Sequence, residues 1–308
     1  MTSDAEPRVN AASPGTPARP ETPAAAETPI AHMIRCLGSA EILVEPYPHF
    51  YLKDVFPESY YRKMLRHMPG GSVYQNLYAV TDLKLDHFKH RDQRDMSEGW
   101  TELLPVEIRP FWEDFTRWFM GPELARALLD TFAEPLRQQF GGTPLPDTSV
   151  EAHFIRHRAG YFLGPHSDLF SKLVVLLIYL PPDESSAHLG TSLYRPKDPA
   201  FSCPNSTHYP FEDFVRVKTV PYLPNSMLAF QRSDRSFHGV EPLTDKDAPG
   251  TAGILPAPAS PDPGSAGILP APVSAGGRDL IQYVLYDKPV REQQLKARRE
   301  AATRGTSQ

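Results

Sequence analysis

From Pro146 onward the chain is written in short β-rich runs set between Pro, Gly, Asn and Asp, and this texture restricts its fold more than any other feature. The runs are SVEAHFIRH, KLVVLLIYL, LGTSLYRP, FVRVKTVPY, SMLAFQRS and RDLIQYVLYD. Strands separated by turn residues, with no helical pattern between them, predict an antiparallel sandwich or barrel rather than alternating βαβ units. After its leading Lys172, KLVVLLIYL is the most apolar run in the chain and reads as a buried strand. Helices come earlier in the chain. PESYYRKMLRHMPGG reads as one that Pro57 can start and Gly70 can end, and Leu124, Leu128, Leu129, Phe132 and Leu136 recur at the spacing of a helical core face. The expected class is mainly β with flanking helices.

Composition sets the limits of the folded part. Residues 1–30 are Pro, Ala, Thr and Glu with almost no large apolar side chain, which predicts a disordered tail. Residues 31–295 read as one domain, with a helical part over 57–140 and a β-barrel over 147–287; the final charged segment VREQQLKARREAATRGTSQ reads as a solvated helix that frays into a tail over 296–308. One stretch breaks the pattern: GTAGILPAP, Gly250 to Pro258, returns as GSAGILPAP, Gly264 to Pro272, a period of 14 residues and too short for a solenoid unit. Its Pro and Gly content excludes a regular strand or helix, so residues 249–277 read as a duplicated insertion looped out of the fold.

A net charge of -5 and a pI of about 6.1, with Lys and Arg scattered, leave no basic footprint for nucleic acid. There is no apolar run of the roughly 18 residues that a membrane span requires, and no basic-then-apolar order of a signal peptide. Two distant cysteines, Cys36 and Cys203, fit reduced thiols better than a disulfide framework. The expected setting is cytoplasmic.

Chemistry enters at GPHSDLF, Gly164 to Phe170. In a strand, residues i and i+2 face the same side, so His166 and Asp168 can present an imidazole and a carboxylate to one ion. Alone, a His-x-Asp pair is more often a surface salt bridge or a turn than a ligand pair. A third donor is available in RSDRSFHGVEPL, where His238 follows the apolar run SMLAF. Two histidines and one carboxylate on one face of a metal suit non-haem Fe(II), whereas structural zinc closes its shell with four protein ligands. Arg278 heads the run RDLIQYVLYD and can grip a dicarboxylate such as 2-oxoglutarate with its guanidinium fork.

With these residues in view, the segment from about Tyr47 to Tyr286 resembles the iron(II)/2-oxoglutarate-dependent oxygenases of the prolyl-4-hydroxylase-like branch. EPYPHFYLKDVFPESYYRKML is similar to the family's opening strand and helix, RAGYFLGPHSD to its approach to the first two ligands, and LPNSMLAFQRSDRSFHGVEPL to its turn, strand and second histidine. LGTSLYRP stands where the family usually has Gly-Gly-x-Leu, with Thr191 replacing one glycine. The resemblance implies a double-stranded β-helix, a jelly-roll or cupin-like barrel buttressed by N-terminal helices. It also implies a dioxygenase that hydroxylates a C–H bond of a prolyl residue in a peptide or protein, an amino acid or another small molecule, releasing succinate and CO2. Fe(II) would be held by His166, Asp168 and His238, and 2-oxoglutarate by Arg278, with dioxygen as oxidant and ascorbate as an accessory reductant. The alternative is a non-oxygenase metal-binding cupin-like barrel, with a binding or a hydrolytic role.

Other residues carry less. Tyr161, five residues before His166, matches a tyrosine that some members point at the cosubstrate, and core packing explains it equally. Arg232 and Arg235 read as solvated loop residues or contacts for an anionic substrate. His153, His157, His188 and His208 lack a partner spacing and read as structural or exposed. NLYAVTDLKLDHFKHRDQRD, aromatic and basic, reads as a substrate-facing lid. Family members usually carry the cosubstrate cation about a dozen residues beyond the second histidine, whereas Arg278 lies 40 residues beyond His238. The two repeat units account for 28 of those 40 and restore the spacing to 12, which favours Arg278 over Lys246 in the polar stretch TDKDAP.

Overall fold

The computed structural model describes residues 27–81, 84–204, 207–244 and 277–305. The first 26 residues, Lys246 and positions 249–276 of the duplicated stretch lie outside this range. Two antiparallel sheets form the body. Their strands are β1 (His49–Lys53), β2 (Gln75–Asn76), β3 (Arg91–Asp95), β4 (Thr148–Arg158), β5 (Leu163–His166), β6 (Lys172–Tyr179), β7 (Thr191–Pro196), β8 (Phe214–Val220), β9 (Ser226–Gln231), β10 (His238–Val240) and β11 (Gly277–Asp287). The larger sheet runs β1-β9-β6-β11-β4-β3-β2 and the smaller β5-β10-β7-β8. Two facing antiparallel sheets are what the short strands predict, and they fit the jelly-roll that the resemblance implies.

Strand periodicity sorts the side chains into two cores. On β6, Val174, Leu176 and Ile178 join the cluster under the helices, while Val175, Leu177 and Tyr179 join the cluster between the sheets. Both faces are covered, which is why KLVVLLIY has no polar alternation. Helix α4 (Arg109–Phe119) lays Phe111, Trp112, Phe115 and Phe119 onto the outer face. The predicted stripe is divided between α5 (Pro122–Thr131) and α6 (Ala133–Gln139), and Leu124, Leu128, Phe132 and Leu136 are fully buried while Leu129 is half-buried. Helix α2 (Glu58–Arg66) starts after Pro57 and stops short of Gly70.

Four boundaries differ from the sequence reading. Helix α1 (Pro29–Gly38) begins inside the stretch expected to be disordered, because Thr28 caps it and Met33 and Leu37 bury its inner face. RDQRD, read as part of a helical region or lid, is strand β3, paired with β4; its polar residues hid it from a search for apolar alternation. Gly277, assigned to the insertion, opens β11 opposite Arg158. The charged C-terminal stretch is the helix the sequence predicts, but it starts at Lys288 and continues to Gly305 in α7, past the expected tail boundary at 296.

The duplicated stretch leaves and re-enters at one place. Leu243 N–H donates to Tyr161 O at 2.8 Å and Gly160 N–H to Leu243 O at 2.8 Å, while Gly277 pairs with Arg158. Both ends are thus fastened to the same β4–β5 turn, and a few residues suffice to join them. Loop-closure cost changes by only about 0.6 kcal/mol per doubling of length. Deleting residues 250–276 should therefore leave a folded protein with its melting temperature within a few degrees of wild type; loss of the cooperative transition would show that the stretch is structural.

Candidate metal centre

His166 ends β5, His238 begins β10, and the two residues oppose each other in the antiparallel register. The strands come this close because Gly239 has no side chain: a Cβ there would collide with Leu163 O. Asp168 lies two residues past His166, just before β6. The structure brings all three together, each buried, with one ligand atom from each lying within 4.8 Å of the others. The His166 and His238 ring centroids are 4.3 Å apart, and His238 Nε2 lies 3.6 Å from Asp168 Oδ2.

The tautomers follow from the hydrogen bonds. His166 Nδ1 lies 3.0 Å from Gly164 O, and His238 Nδ1 lies 3.0 Å from Ser236 O. A carbonyl can only accept, so each Nδ1 carries the proton and each Nε2 presents its lone pair, the orientation that metal-bound histidines need. Asp168 Oδ2 is buried with no hydrogen-bond partner, while Oδ1 accepts from Lys172 Nζ at 2.7 Å. Burial pushes the Asp168 carboxyl up, but Lys172 and the two imidazoles outweigh it and hold the group below the usual carboxylate range. Burial, with each other's charge adding to it for His166, holds both histidines below their ordinary value. The donor set fits a divalent cation with open positions, such as Fe(II).

Arg232 belongs to neither of its sequence readings. It is 5% exposed; Nε donates to Asp168 O at 3.0 Å, Nη2 donates to Pro204 O at 2.8 Å, and Nη1 pairs with Asp234 at 2.7 Å. It fixes the backbone of the ligand loop. Arg235 is exposed and donates to Pro199 O.

A second polar cluster lies in the barrel interior. Arg278 is 1% exposed; Nε donates to Leu189 O at 2.7 Å, Nη2 to Thr191 Oγ1 at 2.7 Å and Nη1 to His157 Nδ1 at 3.1 Å. The guanidinium lies 5.2 Å from the Tyr179 ring centroid and 5.6 Å from that of Tyr222. Among the described residues no carboxylate pairs with it, and a buried unpaired cation is costly, on the order of several kcal/mol. Because arginine is donor-only, His157 Nδ1 must accept, which puts the imidazole proton on Nε2, a buried atom with no protein partner. Burial, then the Arg278 and Arg91 charges, keep His157 neutral, well below its ordinary value. Two guanidinium N–H groups and one imidazole N–H are thus left beyond the bonds above, a donor set that fits a carboxylate.

Tyr161 is fully buried, its ring stacked on His157 at 3.8 Å and 7°. His157, read from sequence as structural, is thus built into the cluster around Arg278. The only clue in the sequence was its alternation with Ile155 on β4; its partner Arg278 is 121 residues away. His208, also read as structural, sits 4.9 Å from the His166 ring. His153 lies on β4 opposite Gln282.

The buried histidines carry a pH signature. His157, His166 and His238 all titrate below 6.5 when folded, so between their folded values and 6.5 the unfolded chain binds protons that the native state refuses. Stability therefore falls as pH drops below about 6.5, by at most about 1.4 kcal/mol per pH unit per histidine. Asp168, depressed in the folded state, contributes a loss only in stronger acid. The urea midpoint of chelator-treated protein should decline steeply between pH 7 and 5; a flat profile would contradict neutral, buried imidazoles.

No family model matches the sequence, and no curated protein matches it. Among solved structures, the chain is similar to a prolyl hydroxylase from Trichoplax adhaerens in complex with a hypoxia inducible factor peptide fragment, at 10% identity and a TM-score of 0.45 over 86% of this chain and 91% of that one. It is similar to a Pseudomonas putida prolyl-4-hydroxylase at 12% identity and a TM-score of 0.38, over 83% and 98% of the two chains. A Burkholderia pseudomallei oxidoreductase of the 2OG-Fe(II) oxygenase family gives 12% and 0.38, over 84% and 90%.

Proposed function

We propose that this chain is an Fe(II)- and 2-oxoglutarate-dependent dioxygenase that hydroxylates a C–H bond of a prolyl residue, an amino acid or another small molecule. One observation carries the reading: a buried His-Asp-His set with both Nε2 lone pairs and Asp168 Oδ2 unused, in the same barrel as a buried arginine that has no carboxylate partner among the described residues. His166, Asp168 and His238 would hold the metal and Arg278 the cosubstrate. Once bound, the iron, cosubstrate and dioxygen supply oxidation of a substrate C–H bond coupled to decarboxylation of 2-oxoglutarate to succinate.

The chain's own residues do the rest. Gly164 O and Ser236 O fix the two imidazole rings, Lys172 keeps Asp168 ionised, and Arg232 anchors the Asp168 backbone. Arg278 and His157 form a preformed donor cradle, its guanidinium held by Thr191 Oγ1 and Leu189 O, so little reorganisation accompanies binding of a dicarboxylate. Among the described residues no helix is long and apolar enough to cross a membrane. The test is succinate formation from 2-oxoglutarate with Fe(II) under air, with and without ascorbate, in the presence of candidate substrates. Metal binding without any 2-oxoglutarate consumption would favour the non-oxygenase barrel.

A further inference from the structure

We infer that Arg91 holds a carboxylate of the molecule that is oxidised, so that the substrate is a small carboxylic acid with an apolar body; this rests on the oxygenase reading above. Arg91 on β3 pairs with His157 on β4, which in turn pairs with Arg278 on β11. The three side chains therefore share one sheet face in one row, with the two arginine Cα atoms roughly 10 Å apart, two strand spacings. Their surroundings differ. Arg278 is enclosed by three close acceptors, whereas Arg91 makes only long contacts, 3.5 Å from Nη1 to Tyr161 OH and 3.4 Å from Nη2 to Gln93 Oε1. Its Nε is buried without a partner, and among the described residues no carboxylate forms an ion pair with it.

From Arg91 a wall leads to the metal ligands. The His87 ring lies 6.2 Å from that of Tyr161 and 6.0 Å from that of His208, which lies 4.9 Å from that of His166. His87 Nε2 and His208 Nδ1 are also buried without partners. Native proteins rarely leave such atoms unpaired, and here three of them line the path from Arg91 to the metal centre. Phe162 packs on His87 at 4.4 Å and Phe88 is buried beside it, so the wall is apolar between its polar atoms. A guanidinium fork, two imidazoles and two phenyl rings match a ligand with one planar anion, an apolar body and a C–H bond directed at the metal. A single unpaired cation on this wall suits a monoanionic carboxylate better than a dianionic phosphate.

The test uses full-length protein saturated with Zn(II) and 2-oxoglutarate, which is inert to oxygen and fills the Arg278 cradle. Phenylacetate and its neutral isostere phenylacetamide are titrated by ligand-observed NMR. Phenylacetate should bind at least tenfold more tightly; Arg91→Gln should bring the two to parity while changing 2-oxoglutarate affinity less than twofold. Arg91→Lys keeps the charge but loses the fork, and should retain a preference reduced severalfold, which supplies the comparison if the glutamine variant does not fold. Equal binding of acid and amide to wild type, binding of neither at millimolar concentration, or a preference that survives Arg91→Gln would overturn the assignment. So would a tenfold loss of 2-oxoglutarate affinity in Arg91→Gln, which would make Arg91 a cosubstrate residue. If wild type binds no 2-oxoglutarate, the oxygenase reading fails alone, and an Arg91-dependent preference measured with Zn(II) only would stand.

Discussion

Asp168→Ala should weaken Fe(II) binding by on the order of a hundredfold or more, about 2.8 kcal/mol, and abolish 2-oxoglutarate turnover. Asp168 is the only anion among the three donors, and its Oδ2 has no protein partner to lose. The substitution also strands Lys172, whose Nζ sits 2.7 Å from Asp168 Oδ1 and which is 8% exposed. An uncompensated buried charge costs about 3–5 kcal/mol, so the single variant should also be destabilised. Adding Lys172→Met removes that charge and should restore much of the stability while leaving metal binding lost. Anaerobic titration with Fe(II), alongside urea unfolding, separates the two effects. A folded Asp168→Ala protein that binds iron like wild type would show that the centre lies elsewhere.

How far the centre could be read from sequence depended on where its parts lie along the chain. His166 and Asp168 were legible as a pair because a two-residue spacing in extended chain can turn both side chains the same way, although β5 ends at His166 and Asp168 lies in the loop beyond it, and His238 because an apolar run ends shortly before it. The outer face was legible too, since Leu124, Leu128, Phe132 and Leu136 had no other reason to recur at helical spacing. Arg91 and His157 were not. RDQRD has no apolar alternation, so nothing local marks it as a strand; it is one because β4 offers it an edge to pair with. Its polar residues are tolerated there because Arg91 stands in one row with His157 and Arg278, while on the opposite face Asp92 accepts from Asn76 and Arg158 and Arg94 donates to Val73 O. His157 acquires its meaning only from the register that sets Arg91 on one side of it and Arg278 on the other, contacts made across the sheet and invisible to any window along the chain.

Arg278→Ala should raise the 2-oxoglutarate concentration needed for half-saturation by at least tenfold, about 1.4 kcal/mol, as expected for loss of a charge-assisted bidentate contact. The loss will not stop there. Leu189 O and His157 Nδ1 each lose a donor, while Thr191 Oγ1 keeps the one from Tyr179 OH; a buried group left unsatisfied costs about 1–3 kcal/mol, so stability should fall as well. Arg278→Lys separates the two contributions: the ammonium keeps the charge but cannot reach all three acceptors and also fork a carboxylate. It should therefore recover part of the stability while remaining several-fold weaker in 2-oxoglutarate binding than wild type. Lys246→Ala, the rival by sequence spacing, should leave cosubstrate affinity unchanged. The affinity is best read by calorimetry on Zn(II)-loaded protein, where no turnover interferes. If Arg278→Ala bound 2-oxoglutarate as wild type does, the buried guanidinium would be a packing element of the barrel, held by Leu189, Thr191 and the two tyrosine rings for its own sake, and the cosubstrate would have to be sought at Arg91.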